Sequence, residues 1–442
     1  MSPLPSQPGR HLLDGTVRVF LAWLLIPLTG IITATFLTRR LGPEGYGLLV
    51  LAATLVVWIE WSINSFFARA TIKCVGEAGD WRPIGATVIR LHLLVGSGAA
   101  LVLGLLAFPL ARLLNEPVLA PYLCLFALDI PLSSLAQAHQ NILVGIGSFR
   151  QKAVGSAGRW IARLFLILVL VEMGLSVPGA ILGSIGASVV ELVISRRYVS
   201  PPFFGHVAFP GRSFWDFGVL LFLSALSLNG FSSLDLFMLK ILGGTAQQAG
   251  IYGAAQNLSI LPGLFAMSFS QLLLSTLSRM LSAGETGPAK AMGRNAMRIA
   301  LGLLPVAALI AGAAPEIVQL FFGPLFLSAA PLFAVLTFGA VAFVMISVAM
   351  AIVTAAGEPR LALVLSVPLI PLAVVGHLVL IPRFGALGAA FVTTLCAGFG
   401  ALACVLAVYR LWSILPPIGT LGRSVLVSVL AYAPAVLWPA AG

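Results

Sequence analysis

Long apolar blocks are the feature of this sequence that most limits how the chain can fold. Each block contains roughly twenty residues, enough for an α-helix to cross a hydrocarbon layer of about 30 Å. Of the 442 residues, 60% are hydrophobic and only 9% are charged, whereas soluble domains carry about 25% charged residues. No soluble fold buries so much apolar surface, and the sequence therefore predicts an all-α, polytopic membrane protein.

The blocks predict where the chain crosses the membrane. We place the spans near residues 15–38, 46–68, 84–107, 118–145, 154–172, 177–195, 214–240, 248–278, 291–313, 325–355, 361–381, 385–409 and 424–440. The first block is longer than the apolar region of a signal peptide and lacks a small-residue cleavage pattern after it, so we interpret it as a retained helix. The last block contains Pro434 and Pro439, which leaves open whether it spans the membrane fully.

The distribution of basic residues predicts the orientation. With the N-terminus inside, the inward segments carry fifteen Lys and Arg residues, and the outward loops carry only Arg39, Arg40, Arg112, Lys240 and Arg383. Such an excess is typical of cytoplasmic loops, so we predict a cytoplasmic N-terminus. The basic residues that give the net charge of +11 lie between the spans rather than in a soluble basic domain. We therefore expect membrane lipids, and no nucleic acid, as partners.

Short motifs recur about two hundred residues apart. The matching pairs are Leu41-Gly42 with Leu242-Gly243, Tyr46-Gly47 with Tyr252-Gly253, and ILVGIGSFR (142–150) with IVTAAGEPR (352–360). We interpret the chain as two six-helix repeats. Because each repeat has an even number of spans, both enter the membrane from the same side and are parallel.

The repeats define the expected domains. We predict an N-terminal six-helix lobe over residues 1–200, a C-terminal six-helix lobe over 201–410 and an additional membrane segment over 411–442. Parallel repeats are related by an axis along the membrane normal. Two such lobes leave a central cleft between them, in which a cargo can be held.

Three stretches carry a resemblance to a known family. They are RRLGPEGYGLL after the first span, DLFMLKILGG and AGIYGAAQNLSILP across spans seven and eight, and VTAAGEPR after span ten. With them, the chain up to about Tyr409 resembles the polysaccharide transporter (polysaccharide biosynthesis, O-antigen flippase) family of the multidrug/oligosaccharidyl-lipid/polysaccharide exporter superfamily. The resemblance implies a V-shaped, MATE-like fold of two lobes. It also implies flipping of polyprenyl-pyrophosphate-linked sugars across the bacterial inner membrane, for O-antigen or exopolysaccharide synthesis, beside the polymerase and glycosyltransferases of the same pathway.

A pyrophosphate headgroup needs cations, and Arg18 in the first span is one candidate. It shares a helix face with Thr29 and Thr33 at 100° per residue. Asp14 lies one turn earlier, so a local ion pair near the cytoplasmic rim is the alternative interpretation.

Arg159 and Arg163 share a face of span five and are the other candidates for the pyrophosphate. At a rise of 1.5 Å per residue, Arg163 lies ~15 Å along the helix, too deep to reach the interface easily. Ionisable residues at such depth usually face the bundle interior or a cavity. The alternative is an internal ion pair with Asp129 or Glu60.

Polar stripes in spans four, seven and eight are rich in groups that can contact sugar hydroxyls. The substrate-binding candidates in these stripes are Asp129, Gln140, Asp235, Tyr252 and Gln256. Polar stripes also often serve only as contacts between membrane helices. For Asp235, about one turn before Lys240, we favour a gate or structural pair over an ion site.

The leading hypothesis is a non-enzymatic flippase whose cleft opens alternately to the two sides of the membrane. A cation-coupled multidrug exporter of the same superfamily is the alternative, but its pocket should be acidic and aromatic, whereas Arg18 and Arg163 are cationic. A membrane glycosyltransferase or polymerase needs paired carboxylates or a metal motif on a sizeable outer loop, and the outer loops are short. No cofactor or metal is expected; coupling to Na⁺ or H⁺ through Asp129 or Asp235 stays open.

Overall fold

Helices form the regular structure of every part of the chain that is described. The computed structural model describes residues 8–201, 212–259, 261–415 and 418–437, some of them, including 8–27, 212–221 and 261–269, by the backbone alone. The helices of the first half are α1 (Pro8–Glu77), α2 (Arg82–Leu113), α3 (Leu119–Ala127), α4 (Asp129–Gly145), α5 (Phe149–Leu170) and α6 (Ser176–Tyr198). They follow the first six predicted spans: α1 contains the first two, and α3 with α4 forms the fourth.

The helices of the second half follow the remaining predicted spans. They are α7 (Arg212–Ile241), α8 (Ala246–Ser259), α9 (Leu261–Ser282), α10 (Thr286–Leu301), α11 (Leu304–Gly312), α12 (Ala314–Phe322), α13 (Ala330–Ala355), α14 (Pro359–Ser366), α15 (Leu369–Trp412) and α16 (Ile418–Leu437). The predicted span 248–278 is divided between α8 and α9, close to Pro262. The short helix α12 lies in a stretch that the sequence predicts as an outer loop.

Seven helical stretches among the described residues are long and apolar enough to cross a membrane. Three of them, Leu28–Glu77, Phe149–Tyr198 and Arg360–Trp412, are 50, 50 and 53 residues long. The last two each contain two predicted spans, and the first contains the second predicted span and the end of the first. Non-helical backbone interrupts each stretch, at Gly42, Gly174 and Gly385 respectively.

Two of these long stretches fold back on themselves. Gly183 of α6 packs against Ile167 of α5, and Gly400 packs against Leu369 within α15. Each contact joins residues on opposite sides of the interruption, so each stretch is a pair of antiparallel helices. The prediction of an all-α protein that crosses the membrane several times is confirmed.

The chain forms two compact units. Unit 1 contains Met1–Leu41 and Ala52–Gly218, and unit 2 contains Gly42–Leu51 and Val219–Gly442. In unit 1, α5 packs along α6, and α4 packs against α2 and α6. In unit 2, α13 packs against α9, α11 and α15, and α16 packs along α11.

Glycines at equivalent positions of the two predicted repeats share a positive φ. Gly147 and Gly357 have φ of 77° and 85°, and Gly42 and Gly243 have φ of 68° and 98°. After Gly147 and Gly357, the next N–H donates to a carbonyl five residues earlier, at 2.8 Å and 3.2 Å. This is a helix-ending turn whose left-handed position favours glycine. The repeated sequence motif therefore corresponds to a repeated turn.

In unit 2, two glycines bring backbones into direct contact. A Cβ atom added to Gly47 would overlap the carbonyl oxygen of Ala246, and one added to Gly250 would overlap the carbonyl oxygen of Pro43. The start of the second predicted span therefore lies against α8 with no side chain between the two backbones. Small residues of this kind allow close packing of membrane helices.

Substitution of Gly250 tests this contact. We expect Gly250→Val to destabilise the protein by about 1–3 kcal/mol, because the added side chain overpacks a filled site. Gly98→Val in α2 is the matched control, because a Cβ at Gly98 meets nothing within 4 Å. Thermal unfolding of the purified variants in detergent measures the difference, and equal melting temperatures for the two variants would contradict it.

Candidate functional site

The Asp235 carboxylate is a fully buried acceptor in unit 2. It accepts hydrogen bonds from the Tyr252 hydroxyl at 2.6 Å, the Gln256 amide at 2.9 Å and the Thr393 hydroxyl at 2.9 Å. A fourth comes from the backbone N–H of Leu236 at 2.8 Å. Three residues predicted for the site, on α7 and α8, therefore meet around one carboxylate.

These four donors determine what Asp235 can do. A carboxylate offers about four lone-pair sites, so four hydrogen bonds fully occupy it. Because the donors lie on α7, α8 and α15, the carboxylate connects three helices. Lys240, the partner considered from the sequence, donates its ammonium to the Gly244 carbonyl at 2.8 Å.

A second buried cluster, in unit 1, is ionic. The Arg159 guanidinium of α5 lies 3.0 Å from the Glu191 carboxylate of α6 and 4.0 Å from the Glu60 carboxylate of α1. Arg159 and Glu191 are largely buried, with side chains 20% and 3% exposed. Of the two partners considered from the sequence, Glu60 lies at 4.0 Å from Arg159, but the nearer partner is Glu191, which the sequence did not indicate.

Asp129 and Arg163 belong to the same cluster. Asp129 is 2% exposed and interacts electrostatically with Arg159 and Arg163. Glu60 interacts electrostatically with Asp129 and with both arginines. The guanidinium carbon of Arg163 lies 5.5 Å from the centroid of the Trp160 ring, within the range of a cation–π interaction.

Amides continue the polar interior of unit 1 beyond this cluster. Gln140 donates to the Ser195 hydroxyl at 2.9 Å, and Asn141 donates to the Asn64 side chain at 2.9 Å. Gly155 faces Gln140 so closely that a Cβ there would overlap the amide nitrogen. Polar contacts therefore join span four to spans two and six, as is common in membrane helices, and span five approaches span four closely at Gly155.

The remaining candidates of the first span are only partly described. Arg18 lies in α1, but its side chain falls outside the part of the chain whose side chains are described, as does that of Asp14. Thr33 donates its hydroxyl to the Thr29 carbonyl at 2.7 Å.

Sequence reasoning missed two residues of these clusters. Glu191 belongs to no recognisable motif, and Thr393 lies in an almost entirely apolar span. The one available signal for Glu191 was that a buried arginine needs a carboxylate partner. For Thr393 no signal separated it from the neighbouring Thr394.

The described residues contain no group of three or more His, Cys, Asp or Glu side chains placed to hold a metal ion. The clusters instead provide hydrogen-bonding groups and guanidinium charges inside helical units. Such groups can hold a polar or anionic ligand without any covalent chemistry.

Solved structures of transporters define the class to which this fold belongs. An inward-facing multidrug resistance MATE family transporter of the MOP superfamily matches with a TM-score of 0.73 and 14% identity, over 93% of this chain and 99% of the other. The lipid II flippase MurJ, in an inward closed conformation, matches with a TM-score of 0.68 and 12% identity, over 96% and 99%. A MOP superfamily transporter from Pyrococcus furiosus matches with a TM-score of 0.66 and 15% identity, over 89% and 95%. The protein has the fold of MOP superfamily transporters.

The family follows from the sequence itself. The model of the family described as polysaccharide biosynthesis protein matches residues 36–331, and the chain belongs to this family. No curated relative matches the chain. The family and fold implied by the three sequence stretches are thereby confirmed.

Neighbouring threonines on α15 test the role of Asp235. We expect Thr393→Val to lower the free energy of unfolding by about 1.5–3 kcal/mol, because the Thr393 hydroxyl donates to a charged acceptor. Thr394→Val should lower it by about 0.5–1.5 kcal/mol, because the Thr394 hydroxyl donates to a neutral acceptor. Thr394 donates to the Val335 carbonyl at 3.0 Å. Denaturant unfolding in detergent micelles measures both values; an equal or reversed order would show that the Asp235 contact is not charge-assisted.

A double-mutant cycle tests the Arg159 pair. Arg159→Met should destabilise the protein by about 3–5 kcal/mol, because it leaves Glu191 buried without its guanidinium, and Arg159→Met with Glu191→Leu should recover much of this loss. The free energies of unfolding of the four proteins give the coupling. Additive effects of the two substitutions would mean that the pair contributes nothing.

Proposed function

We propose that the protein is a flippase that moves polyprenyl-pyrophosphate-linked oligosaccharide from the cytoplasmic to the outer leaflet of the bacterial inner membrane by alternating access. The N-terminus is cytoplasmic in this proposal, in line with the distribution of basic residues. Transport breaks and forms no covalent bond, so no catalytic residue is required. The expected partners are the polymerase and glycosyltransferases that act on the same lipid-linked sugar.

The proposal is supported by one combined observation: the sequence belongs to a polysaccharide biosynthesis family, and the chain has the fold of transporters. The family match supplies the pathway, and the fold is shared with MurJ, which flips lipid II. A protein that combines the two is suited to move a lipid-linked sugar. Fold alone does not specify cargo, so the choice of cargo depends on charged residues.

Arg163 is the residue that we assign to the pyrophosphate. A guanidinium suits phosphate because its planar donors can bind two oxygens at once. Arg159 is paired with Glu191 at 3.0 Å, and Arg163, one turn further along the same helix face, interacts electrostatically with Asp129 and Glu60. The assignment to Arg163 rests on its depth in span five, because an ionisable residue at such depth usually faces the bundle interior or a cavity. Arg18 is proposed as a second cation for the same headgroup.

The polar residues have a separate role in this proposal. We propose that the sugar hydroxyls are contacted by five polar residues, Asp129, Gln140, Asp235, Tyr252 and Gln256. Asp235 and Gln140 are buried and bound to protein groups. Sugar contact therefore requires an exchange of partners, and these two residues support the site chiefly by positioning the helices that carry it.

The membrane potential supplies a driving force for this direction of transport. An inside-negative potential contributes ~2.3 kcal/mol per elementary charge per 100 mV. Outward movement of a headgroup with two negative charges gains roughly 4.6 kcal/mol at 100 mV by the same relation. A potential of this size drives much of the reaction without another energy source.

A multidrug exporter is the second candidate, because the MATE transporter fold matches and because unit 1 contains three buried or half-buried carboxylates. Organic cations favour acidic, aromatic pockets. In this protein, the Glu191 and Glu60 carboxylates are already paired with Arg159, which lowers their attraction for a second cation.

Reconstitution in liposomes tests the proposal. The purified protein is incorporated with a labelled polyprenyl-pyrophosphate saccharide, and the fraction of label accessible from outside is followed with and without an imposed potential. We expect protein-dependent transfer that a potential negative on the donor side accelerates. Failure with several sugars, combined with transport of cationic dyes under Na⁺ or H⁺ gradients, would favour the exporter.

The Arg163→Ala variant should lose transport in the same assay. We expect the rate to fall at least about tenfold, equivalent to about 1.4 kcal/mol of transition-state stabilisation, while the protein still folds. Arg82→Ala is a matched control, since Arg82 also lies over a Trp ring, at 5.9 Å from Trp81, but in an exposed position. Normal transport by well-folded Arg163→Ala would remove Arg163 from the phosphate site.

A further inference from the structure

Two carboxylates of unit 1 lie together with incomplete hydrogen bonding. One oxygen of Asp129 and one oxygen of Glu60 accept no hydrogen bond from the described residues. The Ser188 hydroxyl is fully buried and lies beside the Asp129 carboxylate. A hydroxyl in this position can donate to an ionised carboxylate or accept from a protonated one. The site is therefore suited to both states of Asp129.

The surrounding charges divide unequally among the three acids of the cluster. Glu191 is bonded to Arg159 and also interacts with Lys152 of α5. Glu60 interacts with Arg159, at 4.0 Å, and with Arg163, and Asp129 interacts with the same two arginines. Two carboxylates close to each other in a poorly hydrated site repel, and the repulsion is relieved when one takes a proton.

The other titratable groups of the packed helices face elsewhere. His139 of α4 bonds the Leu135 carbonyl at 2.8 Å and interacts with Arg196 of α6. His92 of α2 bonds the Ser134 hydroxyl at 3.0 Å. The arginines stay protonated at all relevant pH values. Within the described part of unit 1, a change of charge beside Arg163 thus acts first on Glu60 and Asp129.

We propose that Glu60 and Asp129 form a proton-binding pair that takes up a proton when a pyrophosphate binds at Arg163. The inference rests on the proposed function, because it uses the pyrophosphate cargo assigned there. The arriving phosphate adds negative charge beside the pair and draws on the guanidinium that had balanced it. A proton then moves from water to a carboxylate oxygen, one O–H bond forms, and no electrons are transferred.

Reciprocity gives the proposal a second consequence. If pyrophosphate binding increases proton affinity, protonation must increase pyrophosphate affinity by the same factor. The proton and the anionic headgroup are therefore bound together. Binding of the cargo adds less net negative charge to the buried site than the headgroup alone would add.

Calorimetry on the full-length protein in detergent tests the coupling directly. Binding of farnesyl pyrophosphate is measured at one pH in two buffers that differ in ionisation enthalpy, and the difference in heat gives the protons taken up. We expect net uptake in the wild-type protein and its loss in Glu60→Gln and Asp129→Asn, because the amide that replaces the carboxylate cannot take up a proton. Glu172→Gln, which changes an exposed carboxylate paired with Arg40, is the matched control and should behave like wild type.

Infrared spectroscopy provides a second measurement that needs no ligand. A titration of the wild-type protein should show a protonated carboxyl band that Glu60→Gln or Asp129→Asn removes and Glu172→Gln does not. Pyrophosphate binding without proton uptake, or uptake that persists in both pair variants, would overturn the inference and leave the flippase proposal standing. Absence of binding alongside an intact carboxyl band would instead count against the pyrophosphate cargo and hence against coupling to it.

Discussion

Hydrocarbon accepts no hydrogen bonds, and this constraint governs how the protein treats its few polar side chains. A buried carboxylate in such a medium must obtain its partners from neighbouring helices. The Asp235 carboxylate obtains four neutral donors, and the Glu191 carboxylate obtains a guanidinium. The same requirement is therefore met by hydrogen bonds alone in unit 2 and by an ion pair in unit 1.

The two solutions have different consequences. Four neutral donors hold the Asp235 carboxylate in position, and this carboxylate thereby connects α7, α8 and α15. An ion cluster with more than one carboxylate can redistribute charge when a ligand approaches. The chemistry that responds to an anionic cargo is accordingly assigned to unit 1, where Arg163 lies beside Glu60 and Asp129.

The sequence predicted the helices well because the hydrophobic signal of a membrane span is long and continuous. It also located the repeated turns, since a left-handed backbone position at Gly147 and Gly357 favours glycine. Asp235, Tyr252 and Gln256 were singled out on separate helices, and they meet in the structure. Which carboxylate pairs with Arg159 was not predictable, because Glu191 lies 32 residues away and only the packing of α5 on α6 brings the two together.

The glycine contact in unit 2 has a thermodynamic character of its own. Glycine has no side-chain rotamers, so closing Gly47 and Gly250 onto the facing backbone costs no side-chain conformational entropy. The attraction comes from short-range dispersion, of which a gap of about 0.5–1 Å already forfeits a quarter to a half. The attraction energy of such a contact falls steeply with distance, and the contact forms without any rearrangement of side chains. It has few intermediate states: the two backbones are either in register and touching, or effectively free of each other.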